Sequence, residues 1–192
     1  MQKYILFFYA MMFFAAAPSW ATQVCKTTSI AATTSHLVSK AKTDGTVADS
    51  KTKLMWKRCP EGYNYESTSN ICSKSGTIEY TWTNALNRPA TVNATGFPNA
   101  AGLPNYKNWR MPNIKELHSI IEEQCWNPVV NETVFPSTVD IDLFWSNSPS
   151  ATAVAASSSW CINFMFGDMM TGARSDTYGV RLVRDCTGTE CD

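Results

Sequence analysis

Charge is scarce in this 192-residue chain and evenly split: 16 lysines and arginines face 16 aspartates and glutamates, and charged residues make up 17%. Without a basic excess there is no phosphate-binding surface, so nucleic acid is not an expected partner. Histidine is scarcer still, with only His36 and His118, and no two cysteines have CxxC spacing. Zinc therefore has no ligand set to sit in. A Ser-His-Asp triad has equally little to draw on, because His36 falls in a stretch that reads as a tail. The nine glycines follow no Gly-X-Y period, which excludes a collagen-like stalk. Beyond the first residues no apolar run is long enough to span a bilayer. What is there is 44% hydrophobic, a globular composition that suits one domain with or without a tail.

The first residues read as a targeting segment. Lys3 precedes an unbroken apolar run from Tyr4 to Ala17, and Ser19 and Ala21 are the small residues before a cleavage point after Ala21. A retained anchor is the rival reading, but the run falls short of the roughly 20 residues that a spanning helix needs. Cys25 follows Thr22-Gln23-Val24, which lacks the pattern that precedes a lipid-bearing cysteine. The expected organisation is a signal peptide over 1–21, a flexible linker over 22–42, a folded domain over 43–186 and a short tail over 187–192. The protein would be exported, to the periplasm, the cell surface or the medium, and would touch the membrane only through the cleaved segment. Cleavage removes one lysine and no acid, which leaves 15 bases against 16 acids and a net charge of −1.

All seven cysteines lie beyond that point. In an exported protein they are expected to form disulfides rather than to bind metal. The segment CPEGYNYESTSNIC reads as a polar loop closed by Cys59–Cys72. Cys186, after the last strand, is expected to meet Cys125 or Cys161, while Cys25 and Cys191 sit in the two tails and are placed to staple them together. Seven is odd, so one thiol is free or pairs with another chain, a route into a larger assembly.

Short elements succeed one another along the domain. Asp44-Gly45 marks a turn, and Thr46–Ala48 with Leu54–Lys57 reads as a hairpin. Thr81–Asn87 reads as a helix behind a threonine cap, limited or kinked by Pro89. Gly96, Pro98, Gly102 and Pro104 make a loop of the stretch up to Asn108. In NWRMPNIKELHSII, Asn113 and Glu116 form a capping box, and Ile114, Leu117 and Ile121 define the buried stripe of a helix of about three turns. Asn127–Ile141 reads as a long loop. Leu143–Asn147, Trp160–Phe166 and Tyr178–Val183 then read as strands of an antiparallel sheet, with Val180, Leu182 and Arg184 on one face and Arg181 and Val183 on the other.

Four segments taken in order, DGTVADSKTKLMW, TWTNAL, NWRMPNIKELHSII with NPVVNETVFP, and FWSNSPS with WCINFMFGDMM and YGVRLVR, resemble the Lcl C-terminal domain family, named after a bacterial collagen-like surface adhesin. The resemblance spans roughly Asp44 to Arg184. It implies an α+β domain of C-type-lectin-like fold, two helices packed on small antiparallel sheets and stapled by disulfides. It also implies export and a role in attachment or carbohydrate binding, with glycans or sulfated polysaccharide as partners. This chain departs from that adhesin in lacking the collagen-like stalk. Formylglycine-generating oxidases share the scaffold motifs similar to WRMP and GVRLVR. Their paired reactive cysteines have no counterpart here, since Cys161 stands alone.

Each candidate site has a plainer explanation beside it. Glu116 and His118 are two apart on a helix and point to different faces, so they make no catalytic pair, while His118 and Glu122 have the spacing of an ordinary surface pair. No catalytic residue is expected, and Arg110 reads as a tie to carbonyls or a carboxylate. Calcium is the one ion worth weighing, on Asp140, Asp142 and Asp168. It needs six to eight oxygens and there is no EF-hand loop, so no metal or cofactor is expected. Trp56, Trp109, Trp145 and Trp160 read as core. Trp126, in a loop beside prolines, reads as the exposed stacking surface, with Asn127, Asn147, Asn163, Asp168 and Arg174 as polar partners for a glycan. Lys107, Arg110, Arg174, Arg181 and Arg184 read as scattered charges rather than a basic patch. The expected function is non-catalytic recognition or adhesion, with the loops after Cys125 as the binding face. The alternatives are a thiol-dependent oxidase using Cys161 and a structural component of a surface appendage.

Overall fold

Two paired strands buried on both sides anchor the architecture. In the computed structural model, which describes residues 23–97, 104–136, 138, 141–151 and 157–191, the order of elements is β1 (Val24–Cys25), α1 (Ser35–Val38), β2 (Thr46–Asp49), β3 (Leu54–Lys57), β4 (Tyr63–Glu66), β5 (Ile71–Lys74), α2 (Trp82–Thr95), α3 (Ile114–His118), β6 (Cys125–Trp126), β7 (Leu143–Pro149), β8 (Ser158–Asn163), β9 (Met169–Ala173) and β10 (Val183–Asp185). The expected signal peptide over 1–21, Pro98, Gly102 and Asp140 lie outside the described residues.

Among the described residues these strands pair antiparallel in four small sheets, ordered β1-β6, β10-β3-β2, β4-β5 and β7-β8-β9, and an isolated parallel bridge joins Phe144 of β7 to Gly179. Side chains of β3, β7, β8 and β10 alternate into two separate cores, while β9 is mostly exposed. Leu54 and Trp56 of β3, Phe144 of β7, Ile162 of β8 and Val183 enter one core. Their neighbours Met55, Trp145, Cys161 and Leu182 enter the other. The alternation expected for Val180, Leu182 and Val183 is therefore present. It divides two buried faces instead of separating a buried face from a wet one, and β2 and β3 have no exposed residue.

The helices differ from expectation in length. Asn113 Oδ1 accepts from the N–H groups of Lys115 and Glu116, and the Glu116 carboxylate accepts from the Asn113 N–H, which completes the expected capping box. Yet α3 stops at His118. Ile121 forms a bridge with Val130, and the Glu122 N–H donates to the Val129 carbonyl at 2.6 Å, so tertiary pairing takes over the backbone that would have carried the helix on. Conversely, α2 runs for 14 residues straight through Pro89 and ends at Gly96. Thr81 occupies the N-cap position, but its side chain makes no cap hydrogen bond.

The segment 22–42, expected to be a flexible linker, is folded where it is described. Gln23 Nε2 donates to the carbonyls of Pro128 and Val130. Leu37 and Thr34 are fully buried. The carboxylate of Glu122 accepts four hydrogen bonds, from the N–H and hydroxyl groups of Thr33 and Thr34, at 2.6–3.2 Å. Burial would raise the Glu122 pKa, but the Thr34 hydroxyl and the two backbone donors outweigh it and hold the group below its ordinary value. Glu122 is thus a buried anchor and not the exposed partner of His118. His36, expected in the tail, has its Nε2 3.1 Å from Asp49 Oδ1.

Register decides the disulfides. Cys59–Cys72 forms as expected and staples the β4–β5 hairpin to the end of β3. Cys25 and Cys125 are cross-strand partners with Cα atoms 4.0 Å apart, so they pair with each other. Cys186 turns back to Cys191 over a five-residue separation, which corrects both its expected pairing with Cys125 or Cys161 and the expected Cys25–Cys191 staple. Cys161 is free and fully buried, correcting its place among the bridged cysteines: its thiol sits in the second core and donates to the Met170 carbonyl.

Candidate functional site

A cleft of about 460 Å³ lies between the β4–β5 hairpin and α2. Its floor is built by three charged residues from three places in the chain. Lys57 closes β3. Glu61 follows the Cys59-Pro60 turn. Arg88 lies one residue before Pro89 on the inner face of α2. Lys57 Nζ stands 2.5 Å from Glu61 Oε1, and Arg88 Nη2 stands 2.8 Å from Glu61 Oε2. The side chains of Lys57 and Glu61 are 6% and 2% exposed, against 27% for Arg88. Phe97 receives the Lys57 ammonium on its ring face at 4.1 Å, and Arg88 lies 5.4 Å from the Tyr80 ring centre. Burial alone would lower the Arg88 pKa, but hydrogen bonding to Glu61 reverses that and raises it. Ser75, Thr77, Thr91 and Thr95 complete the walls, with the Ser75 hydroxyl donating to the Gly62 carbonyl and the Thr95 hydroxyl to the carbonyls of Val92 and Gly96.

The backbone under Lys57 is fixed from behind. Arg181 is wholly buried, and its Nη1 donates to the carbonyls of both Lys57 and Arg58 while its Nη2 reaches the Thr138 hydroxyl at 3.0 Å. Phe135 and Phe144 flank its guanidinium, and burial pushes its pKa down to about 9. The Glu61 N–H donates to the Val180 carbonyl at 2.8 Å, so Val180 and Arg181 together hold the floor. Gly62 forms the lip with φ +86°, and a Cβ there would run into the Thr77 carbonyl. Its own carbonyl accepts from the N–H groups of Ser75 and Gly76.

The residues expected to bind divide into two groups. Trp126 is 41% exposed. Asn127 donates its N–H to the Met165 carbonyl, Asn163 Oδ1 accepts from the Met165 N–H, and the Asn163 N–H donates to the Asp168 carbonyl. These four therefore gather around the β8–β9 turn, which carries Phe166 at 66% exposure. The Asn163 Oδ1 is engaged in holding the turn. Asn147 lies elsewhere, with its amide on the Met111 carbonyl, and Arg174 stacks on Trp82 while donating to the Ser159 hydroxyl. Trp56, Trp109 and Trp145 are buried as expected, but Trp160 is only half-buried and borders an apolar groove with Ile114, Lys115 and Met169.

The basic residues do not form one surface. Arg110 is held by both oxygens of Glu116 at 2.8 Å and by Asp185 at 2.7 Å, the carboxylate tie expected of it. Arg184 is buried against Tyr106 and paired with Glu190. Asp142 and Asp168 are exposed, and among the described residues no three metal-ligating side chains come together.

Sequence reasoning missed the cleft. Lys57 and Glu61 are four apart, but they flank a turn and so escape the helix-pair rule. Arg88 is 27 residues further on. The one signal was the run of charge, Lys57-Arg58 then Glu61, around a cysteine that closes a loop.

No curated protein matches the chain. The profile of the Lcl C-terminal domain matches residues 45–184, from the turn before β2 to the middle of β10. The disulfide-stapled α+β body described above, from its N-terminal hairpin to the strand that pairs back onto it, therefore belongs to the Lcl C-terminal domain family.

Proposed function

We propose that this protein is an exported, non-catalytic recognition module that binds a saccharide in the cleft between the β4–β5 hairpin and α2, on a C-type-lectin-like scaffold. The observation that carries the reading is the Lys57–Glu61–Arg88 triad. A buried ion pair costs desolvation and is not needed for stability. Here it lies on the floor of an open cleft, between two aromatic rings and beside walls that include Thr77 and Thr91. Charged and hydroxyl groups at fixed positions beside aromatic faces are what an oriented polar ligand requires. Three disulfides suit an oxidising compartment, and no described helix is long and apolar enough to cross a membrane. Cys161 supports the non-catalytic reading over a thiol oxidase. Burial, with Asp176 adding to it, pushes its pKa up to about 11, far from the thiolate that such chemistry uses.

A glycan array with the disulfide-intact protein, with and without chelator, tests this. Binding is expected to survive chelation and to be lost in Thr91→Trp, which fills the cleft from an exposed position on α2. Trp126→Ala is expected to leave it unchanged. Binding lost in Trp126→Ala but kept in Thr91→Trp moves the site to the loops after Cys125, and no binding at all ends the recognition reading.

A further inference from the structure

The outer edge of β9 is left open. The other strands that end a three-stranded sheet are covered: Ala41 bridges to Val47 of β2, Arg110 to Val183 of β10, and Gly179 to Phe144 of β7. Among the described residues nothing bridges to Met169–Ala173 from outside the sheet. The alternation of an antiparallel ladder tells which backbone groups stand free. The Asn163 N–H donates to the Asp168 carbonyl and the Arg174 N–H to the Ser157 carbonyl, so the even-numbered residues of β9 bond inward to β8. Met169, Thr171 and Ala173 therefore aim their N–H and C=O groups outward. Asp176 closes the last of these, since its carboxylate accepts from the Ala173 N–H and its own N–H donates to the Ala173 carbonyl. Met169 and Thr171 remain. Both are exposed, as is Met170 between them, and the strand carries neither the lysine nor the proline that guards many exposed edges.

We infer that this edge pairs antiparallel with the same edge of a second copy, in the register that joins Met169 of each chain to Thr171 of the other and sets Met170 against Met170 on the dyad. Each Met169–Thr171 pair then exchanges both of its hydrogen bonds. A shift of two residues one way meets Ala173, already closed by Asp176; the other way it meets Gly167, whose N–H already donates to the Asn163 carbonyl. The charges fit this orientation. The segment DMMTGAR has its acid at one end and its base at the other, and Asp168 and Arg174 share a face of the strand. Antiparallel pairing sets Asp168 of each copy diagonally across from Arg174 of the other, whose Nε is bonded to Ser159 and whose Nη atoms are left over, while parallel pairing would align like charges. On the opposite face, Trp160 and Thr171 of one chain fall in a row with Met169 and Ile162 of the other. An edge contact of this length is well short of the roughly 1,600 Å² that a stable complex buries, so the pair is weak and reversible. No residue of β9 lines the cleft, so the inference goes beyond the saccharide reading and stands without it.

Sedimentation velocity of the disulfide-intact protein, from dilute solution to about 1 mM, is the test. A reversible monomer–dimer equilibrium is expected, with the Met169 and Thr171 amides exchanging hydrogen more slowly as the dimer fills. Thr171→Pro removes an outward N–H and no bond to β8, so it is expected to abolish the dimer at an unchanged melting temperature. Met170→Lys and Met170→Glu each put like charges across the dyad and are expected to weaken the dimer about fivefold or more, while an equal mixture of the two restores it. That complementation decides the matter should the proline variant fail to fold. A protein that stays monomeric at about 1 mM overturns the pairing. So does a trimer, or a dimer unmoved by the Met170 variants and their mixture. Slow exchange of the Met169 and Thr171 amides in the monomer also overturns it, because another part of the same chain would then cover the edge.

Discussion

Replacing Glu61 by glutamine exchanges a carboxylate for an amide of the same shape and leaves Lys57, only 6% exposed, without its counter-charge. Removing one partner of a buried ion pair costs about 3–5 kcal/mol, because the other charge stays desolvated. Arg88 adds little to that figure, since it is 27% exposed and can turn toward water. For a domain of this size each kcal/mol moves the melting temperature by about 2–4 °C, so the expected loss is roughly 6–20 °C. The double variant Lys57→Met with Glu61→Leu should behave differently. It removes both charges and keeps the apolar volume against Phe97, and such replacements are neutral to within about 1 kcal/mol or stabilising. Equilibrium urea unfolding of the wild type, Lys57→Met, Glu61→Leu and the double variant, with disulfides intact, closes the cycle and measures the coupling directly. A Glu61→Gln variant within about 1 kcal/mol of wild type would refute the claim that Lys57 is held out of water, and with it the description of the cleft floor.

Replacing Cys25 and Cys125 together by serine opens a loop with a sequence separation of 100 and should cost about 4–5 kcal/mol in urea unfolding; a loss under 1 kcal/mol would mean that β1 is held as well by other contacts. Glu122 has its pKa lowered in the folded protein, so its contribution is complete above its ordinary value of 4.5 and is lost as the pH falls through the lowered one. Wild type and Glu122→Gln should therefore converge in stability on acidification below about pH 4.5, and a difference that stays constant down to pH 2 would contradict the buried-anchor assignment. Cys161 should react with a thiol reagent at pH 8 only after denaturation, and rapid modification of the native protein would show that it is accessible after all.

Local chemistry was legible in the chain and long-range pairing was not. The hairpin of β2 and β3 could be read from Asp44-Gly45 and the apolar run at Leu54–Trp56, because a turn and its two strands are settled within a dozen residues. Asn113 and Glu116 announced a helix start for the same reason. The end of that helix was set elsewhere, by Val129 and Val130, and helical periodicity through Ile121 carried no trace of it. The segment before Asp44 looked structureless because it has almost no apolar residues of its own. Its order comes from Glu122 and Cys125, which lie about a hundred positions away. The candidate site failed in the same way. Trp126 was recognisable as an exposed aromatic beside prolines, whereas Lys57, Glu61 and Arg88 become a unit only when α2 folds against the turn after β3.

The bridge from Cys25 to Cys125 also fixes how the molecule would bear load. A pull applied at the N-terminus passes straight across the sulfurs to β6, then on through β7 to β10. Residues 26–124, which include the whole cleft, lie in a closed loop off that line and feel no tension along their backbone. A protein held by its two ends in flowing fluid would load the chain after Cys125 first, and the cleft would feel the pull only through Val180 and Arg181, which hold its floor from behind.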